Sequence, residues 1–293
     1  MIAVVGSVNR DLVLHVGHHP VPGETVLGLG HETMPGGKGA NQAVAAARLG
    51  GDVAFVGRVG ADDAGKTLIE EFLHEGVDTA HLVIDAHAPT GLAVITVDDT
   101  GENTIVVSSG ANGRVSPDDV NGAAALLMAA TVTLLQLEIP IPTVVAAARS
   151  SAGIVVLNAA PAADLPHALL DAVDVLVVNS GELEALTGSD DPISARSLPV
   201  PVTVVTLGAG GARVIRSDSD MAVASPRVSV VDTTGAGDTF CGALAVGLDE
   251  GSSLEAAVRR AIVAGALSVT AAGARSGMPT AATLEAALRT QGS

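Results

Sequence analysis

Short unbroken runs of Val, Ile and Leu recur along the chain, each closed by Gly, Asn or Gln: "IAVVG" at 2–6, "VAFVG" at 53–57, "VTLLQ" at 132–136, "IVVLN" at 154–158, "DVLVVN" at 174–179 and "VTVVTLG" at 202–208. A run without polar alternation predicts a strand covered on both faces, as in a parallel sheet. Ala/Leu-rich stretches at 39–49, 64–75, 117–130 and 142–151 lie between the runs and predict helices. Strand–helix alternation of this kind predicts a three-layer αβα fold, a doubly wound and mostly parallel sheet with helices on both faces. Its ligands should bind at the carboxyl ends of the strands. Beyond the last run, 238–249 puts Phe240, Cys241, Leu244 and Leu248 on one helical face, 253–271 predicts a second Ala-rich helix, and "AAGARSGMP" predicts a turn before a final helix starting near Thr280.

Two segments depart from that rhythm. Residues 10–34 hold "LVLHV" and "ETVLGLG" around a Pro/Gly turn, and residues 90–108 alternate apolar and polar positions around "DDTGEN", a hairpin signal. Together they predict a small β-sheet lid projecting from one domain that spans 1–293. Exposed strand edges are usually covered, so the lid is also a candidate surface for a homodimer.

Composition narrows the classes of partner. About half the residues are apolar, but Phe55, Phe72 and Phe240 are the only aromatics, so the core must be aliphatic. With 15 basic against 32 acidic residues, the chain lacks the clustered Lys and Arg that nucleic-acid phosphates require. The most apolar stretch, 123–135, is too short to span a bilayer. "MIAVVGSVNRDL" has no basic n-region, and the lone Cys241 permits no internal disulfide. A cytoplasmic protein with no membrane partner is expected.

Against that background, the chemistry concentrates in a few loops. In "VVDTTGAGDTF" (230–240), glycines precede a helix start, where free backbone N–H groups attract anions. Asp238 stands beside that seat. It reads either as a helix-terminus acid or as the base that takes a proton from an alcohol attacking phosphorus. "PGGKGANQAVAAARLG" (35–50) is a second glycine-rich turn with Lys38 and Asn41 at the start of a helix, and it fits neither a Walker A loop nor a dinucleotide fingerprint. Polar residues also follow the predicted strands: Asn9 and Asp11, then Glu138, then Asn179 with Glu182. One sheet edge carrying them all suits a polyhydroxylated ligand. "TLGAGGA" (206–212) reads equally as a ligand-passing loop or a tight hairpin.

These motifs resemble the ribokinase family of carbohydrate kinases along nearly the whole chain. The resemblance is carried by "GSVNRDLV" (6–13), "PVPGETV" (20–26), "GGKGANQAVAAARLG" (36–50), "GENTIVVSSGAN" (101–112), "LLQLEIP" (134–140), "NSGELEALTG" (179–188) and "VDTTGAGDTFCGAL" (231–244). It implies a ribokinase-like fold and ATP-dependent phosphorylation of D-ribose at its 5-hydroxyl. Asp238 is then the general base, and Gly235, Ala236 and Gly237 form the anion hole. Asn9, Arg10, Asp11, Gly37, Lys38, Asn41 and Glu138, with Asp238 itself, would hold the sugar. Asn179, Thr206, Gly208 and Gly211 would contact ATP, and Glu182 would organise phosphate-bound Mg²⁺. The resemblance further implies an activating K⁺ held by Asp232, Thr234, Ser268, Ala271, Gly273 and Gly277. Gly277 departs from the serine common there, 189–201 is shorter than usual, and Ile262 replaces a polar residue near the adenine.

Few cations near the sugar motifs argue against a phosphorylated sugar, and phenylalanines in core-like positions argue against a stacked nucleoside base. Asn9 and Asp11 suit a vicinal diol, favouring ribose over 2-deoxyribose or another neutral sugar. A non-catalytic sugar-binding regulator on the same fold is the alternative from a different class; it would be expected to have lost the base or the anion hole.

Overall fold

Burial on both faces is what the six apolar runs achieve in the computed structural model, which describes residues 1–291. In chain order the strands are β1 (Ile2–Val5), β2 (Asn9–His15), β3 (Gly30–Gly36), β4 (Val53–Gly60), β5 (Asp78–Asp85), β6 (Gly91–Val97), β7 (Asn103–Ser108), β8 (Val132–Leu135), β9 (Ile154–Asn158), β10 (Val175–Asn179), β11 (Val202–Thr206), β12 (Ala212–Ile215) and β13 (Asp220–Val223). The helices are α1 (Lys38–Arg48), α2 (Asp63–His74), α3 (Pro117–Gly122), α4 (Ala124–Ala129), α5 (Ile141–Ser150), α6 (His167–Leu170), α7 (Ser180–Thr187), α8 (Ala236–Asp249), α9 (Leu254–Ser268) and α10 (Ala281–Gln291).

Nine strands form the central sheet in the order β13-β12-β11-β10-β9-β8-β1-β4-β5. All neighbours from β5 through β11 pair in parallel, and β12 and β13 close one edge antiparallel. One apolar layer packs α1, α2, α8, α9 and α10 against one face, and a second packs α3 to α7 against the other. Phe55 and Phe72 sit in the first layer with ring centroids 4.8 Å apart, and Phe240 is buried with them. The doubly wound αβα fold expected from the sequence is the fold observed.

The irregular segments form a separate four-stranded sheet, β3-β2-β6-β7. Asn9 opposes both Gly36 and Gly91, so the root of this lid lies beside the end of β1. Its outer strand β7 is solvent-exposed throughout. Sequence reading differs from structure in three places. Residues 24–29, the body of "ETVLGLG" expected in the lid sheet, form no strand, and β3 starts only at Gly30. The helix expected over 117–130 breaks at Ala123 into α3 and α4; a capping box on Ser116 and Asp119 fixes its start, and Gly122, a weak helix former, precedes the break. The edge strands β5 and β13 were not among the apolar runs, because they are only partly covered and carry polar residues. Among the described residues no helix is long and apolar enough to cross a membrane.

Candidate active site

The N-terminus of α8 carries the acid that the glycine loop singled out. Gly235 caps the helix with φ 75°, and a Cβ there would lie 2.4 Å from the Ala274 carbonyl oxygen, so both conformation and packing demand glycine. The first amides of a helix have no intrahelical acceptor. The Ala236 N–H is turned to the Thr233 carbonyl at 3.2 Å, while the position above Gly237 is open space. Asp238 follows in the first helical turn and is buried.

Helix α1 runs alongside α8 and fixes that acid. Asn41 Nδ2 donates to Asp238 Oδ2 at 3.0 Å, and Gln42 Nε2 donates to Asp238 Oδ1 at 3.0 Å. Gln42 also donates to Asn158 Oδ1 at 3.0 Å and accepts from Gln136 Nε2 at 2.6 Å, so β8 and β9 brace it from below. Burial pushes the Asp238 carboxyl above its ordinary range; Lys38 and the two amides pull it back, and Glu138 adds to the rise. Asp238 is therefore oriented at both oxygens and made a better proton acceptor.

Three further groups converge here. Glu138 Oε2 accepts from Ser7 Oγ at 2.6 Å and from the Lys38 backbone N–H at 2.9 Å, joining the ends of β1 and β8 to the start of α1, whose N-cap is Gly37. Asn9 is buried and accepts at Oδ1 from Asn112 Nδ2 at 2.7 Å. Asp11 has Oδ1 buried without a partner, and burial together with Glu138 and Asp238 lifts its carboxyl to about 6, against the pull of Arg275. Burial alone would lower Lys38, but Asp238, Glu138 and Glu182 hold it charged and raise it. Strand alternation gives Asn9 and Asp11 one face of β2 and Arg10 the other, so Arg10 is turned away from this cluster.

At the nucleotide-side candidates the arrangement is more local. Asn179 and Thr206 are register partners at the ends of β10 and β11. Asn179 Oδ1 accepts from the Glu182 N–H and Glu182 Oε2 from the Asn179 N–H, both at 2.8 Å, a capping box at the start of α7. "TLGAGGA" forms the tight hairpin: the Leu207 N–H donates to the Gly211 carbonyl at 2.8 Å, with exposed Gly208 at the tip.

Of the residues expected to share a monovalent cation, Asp232, Thr234 and Gly273 are bonded together and Gly277 lies against Ser268. Asp232 Oδ1 accepts from the Thr234 N–H and hydroxyl at 2.9 and 2.7 Å, and Asp232 Oδ2 from the Gly273 N–H at 2.7 Å. A Cβ at Gly277 would lie 1.9 Å from the Ser268 carbonyl oxygen, which explains why serine does not stand there. Carbonyls, one carboxylate and no soft donor make a set that fits a hard cation such as K⁺.

Sequence reasoning missed the second ring of the site: Ser7, Gln42, Asn112, Gln136, Asn158 and Arg275. Gln42, adjacent to Asn41 and on a buried helix face, carried the only local signal.

The sequence pattern of the pfkB family carbohydrate kinases matches residues 1–281. The ribokinase of Haemophilus influenzae is 40% identical over 291 residues, 95% of each chain. The deoxyribokinase of Salmonella typhi is 37% identical over 291 residues, again 95% of each. The structure of Arabidopsis thaliana ribokinase complexed with ribose and ATP superposes with a TM-score of 0.89 at 34% identity, covering 98% of either chain.

Proposed function

The chain belongs to the pfkB family of carbohydrate kinases, and from that premise we propose that it transfers the γ-phosphoryl group of ATP to the 5-hydroxyl of D-ribose. The observation that carries the reading is Asp238, buried at a helix N-terminus with both oxygens held by amides of α1, directly after an open glycine turn. Each carboxylate oxygen keeps a lone pair beyond the one its amide uses. Asp238 accepts the proton of the sugar hydroxyl as that oxygen bonds to phosphorus; the bond from phosphorus to the ADP oxygen breaks, and the transferring charge is met by the Gly235 and Gly237 amides and the α8 dipole, joined by the Ala236 N–H once it leaves the Thr233 carbonyl.

Asp11, Asn9, Lys38 and Glu138 hold the sugar, with Asn41 engaged chiefly in orienting the base. The buried Asp11 oxygen without a partner is the acceptor a ribose hydroxyl would satisfy. Asn179, Thr206, Gly208 and Gly211 line the nucleotide end. Glu182 would help hold Mg²⁺, which would supply positive charge against the phosphates. Asp232, Thr234, Ser268, Ala271, Gly273 and Gly277 would hold K⁺, whose charge would offset that of Asp232 beside the loop before α8. Exposed Ile105, Val106 and Val107 on the outer lid strand support a homodimer through the lid, checked by the mass of the particle in solution. A cytoplasmic location agrees with the composition and with one buried free thiol, Cys241.

ADP release over a panel of pentoses, hexoses and nucleosides tests the assignment. Ribose should turn over with the highest kcat/KM, and binding without turnover of any sugar would instead mark a sensor. A second reading, 2-deoxyribose, is favoured by the likeness to the Salmonella deoxyribokinase. If Asp11 must receive a hydroxyl that 2-deoxyribose lacks, that sugar loses roughly ten- to hundredfold in kcat/KM; equal values would favour the second reading.

A further inference from the structure

Arg275 lies in the turn before the last helix, a stretch whose sequence announced nothing but a loop, yet its side chain is buried. Its Nε donates to Asn41 Oδ1 at 2.9 Å, and the same amide donates through Nδ2 to Asp238 Oδ2 at 3.0 Å. The backbone around it is pinned as well: Arg48 Nη1 donates to the Arg275 carbonyl at 2.5 Å, while Arg48 is held by Glu75 at 2.8 and 2.5 Å. The preceding residue, Ala274, has its carbonyl packed under Gly235, the cap of α8. One loop therefore touches both the glycine turn and, through Arg275, the amide that grips the acid.

We propose that Arg275 is a positioning residue for phosphoryl transfer, acting through Asn41 to fix the orientation of Asp238. An asparagine amide has two faces of nearly equal shape and opposite polarity. A donor on one side and a carboxylate acceptor on the other leave one orientation in which both are satisfied, with Oδ1 toward Arg275 and Nδ2 toward Asp238. Removing the donor leaves Oδ1 buried and unpaired, and the amide is then free to shift or rotate away from the acid. A buried amide bonded on both sides is held in one orientation, and that hold comes from Nε alone, since Nη2 of Arg275 is buried without a partner of its own. Glu71 Oε2 lies 3.9 Å from Nη1 and offsets part of the guanidinium charge, and the positive charge of Arg275 also acts on Asp11. The inference rests on Asp238 being the base.

Two substitutions separate the Nε donor from the charge and bulk of the side chain. In Arg275→Gln the amide nitrogen stands the same number of bonds from the backbone as Nε and can donate to Asn41, without the charge. In Arg275→Met a methyl group takes that place and donates nothing. Steady-state kinetics at one fixed potassium concentration should show kcat about tenfold lower for Arg275→Met with KM for ATP unchanged, and most of that loss recovered in Arg275→Gln. In the background of Asn41→Ala, adding Arg275→Met should change kcat by less than twofold, because the residue through which it acts is already gone. Arg275→Met within twofold of the parent, Gln and Met variants equally impaired, or fully multiplicative losses with Asn41→Ala would each overturn the proposal. Asp238→Asn is measured alongside. Retained turnover in that variant defeats the base assignment itself, whereas an inactive Asp238→Asn with indistinguishable Gln and Met variants defeats only the role of Arg275.

Discussion

The two ends of the site are built by different means. At the sugar end, polar side chains are tied across long stretches of chain: Asn41 and Gln42 to Asp238, Ser7 to Glu138, Asn112 to Asn9, Arg275 to Asn41. At the nucleotide end the bonds are local. Asn179 and Glu182 cap their own helix, and Leu207 and Gly211 close their own hairpin. Preorganised dipoles in a water-poor site act where charge moves during reaction, and that is the end at which this fold places them. A triphosphate can instead be met by backbone at strand ends and helix starts. Chemistry and sugar selectivity should thus be brittle toward substitution, and nucleotide binding tolerant.

The largest effect expected on the brittle side is Asp238→Asn, which should lower kcat by roughly 10²–10⁴-fold, the usual worth of a positioned base, while ribose still binds by calorimetry. Turnover near the parent level would remove the base from the sugar end and with it the reason for the contrast. Gln42→Leu comes next. It strips Asp238 Oδ1, Asn158 Oδ1 and Gln136 Nε2 of a partner at once, and should cost about 3 kcal/mol of stability with a kcat loss of about tenfold. A melting temperature unchanged from the parent would show that the network is not what holds this end.

The contrast also explains which parts were legible from residues alone. The parallel strands could be read because burial on both faces leaves an unbroken apolar run, and the glycine turns because few residues accept their backbone. Asp238, Asn9 and Asp11 stand inside such recognisable stretches. Gln42, Asn158 and Arg275 do not: their partners lie 196, 116 and 234 positions away, and no local pattern encodes a pairing made only when α1, β9 and the last loop meet. Arg10 illustrates the opposite case, since proximity in sequence to Asp11 hides the strand alternation that gives it the other face of β2. The Asn179–Glu182 spacing pointed to a ligand by resemblance, while the structure first uses it as a cap.

Acidity probes the sugar end without mutation. Asp11 is lifted to about 6, so below that pH it is protonated and loses an acceptor. KM for ribose should rise about fivefold between pH 6 and pH 5 and Asp11→Asn should flatten the dependence, with KM for ATP steady across the same range. Stability should move in the other direction. Between about 4 and 6 the folded chain binds the proton more tightly than the unfolded chain, so folding loses about 3 kcal/mol as pH rises through that window and nothing further above it. Asp11→Asn should therefore raise the melting temperature of the ligand-free protein at neutral pH. A lower melting temperature would mean that the carboxylate stabilises the fold and is not the strained member of the site.

The smallest effect tests the tolerant end. Asn179→Ala removes the N-cap acceptor of α7, which costs about 1 kcal/mol in helices generally, and it leaves the Glu182 N–H to water because both residues lie at the surface. If the nucleotide end is built from replaceable local bonds, KM for ATP should rise only about threefold, kcat should hardly move, and KM for ribose should stay where it was. The last value is the informative one. Glu182 carries charge toward Lys38, and Lys38 joins Glu138 through its backbone, so a path from the cap to the sugar does exist. A rise in KM for ribose comparable to that for ATP would show that path to be energetically live, and the two ends would then have to be treated as one network rather than two.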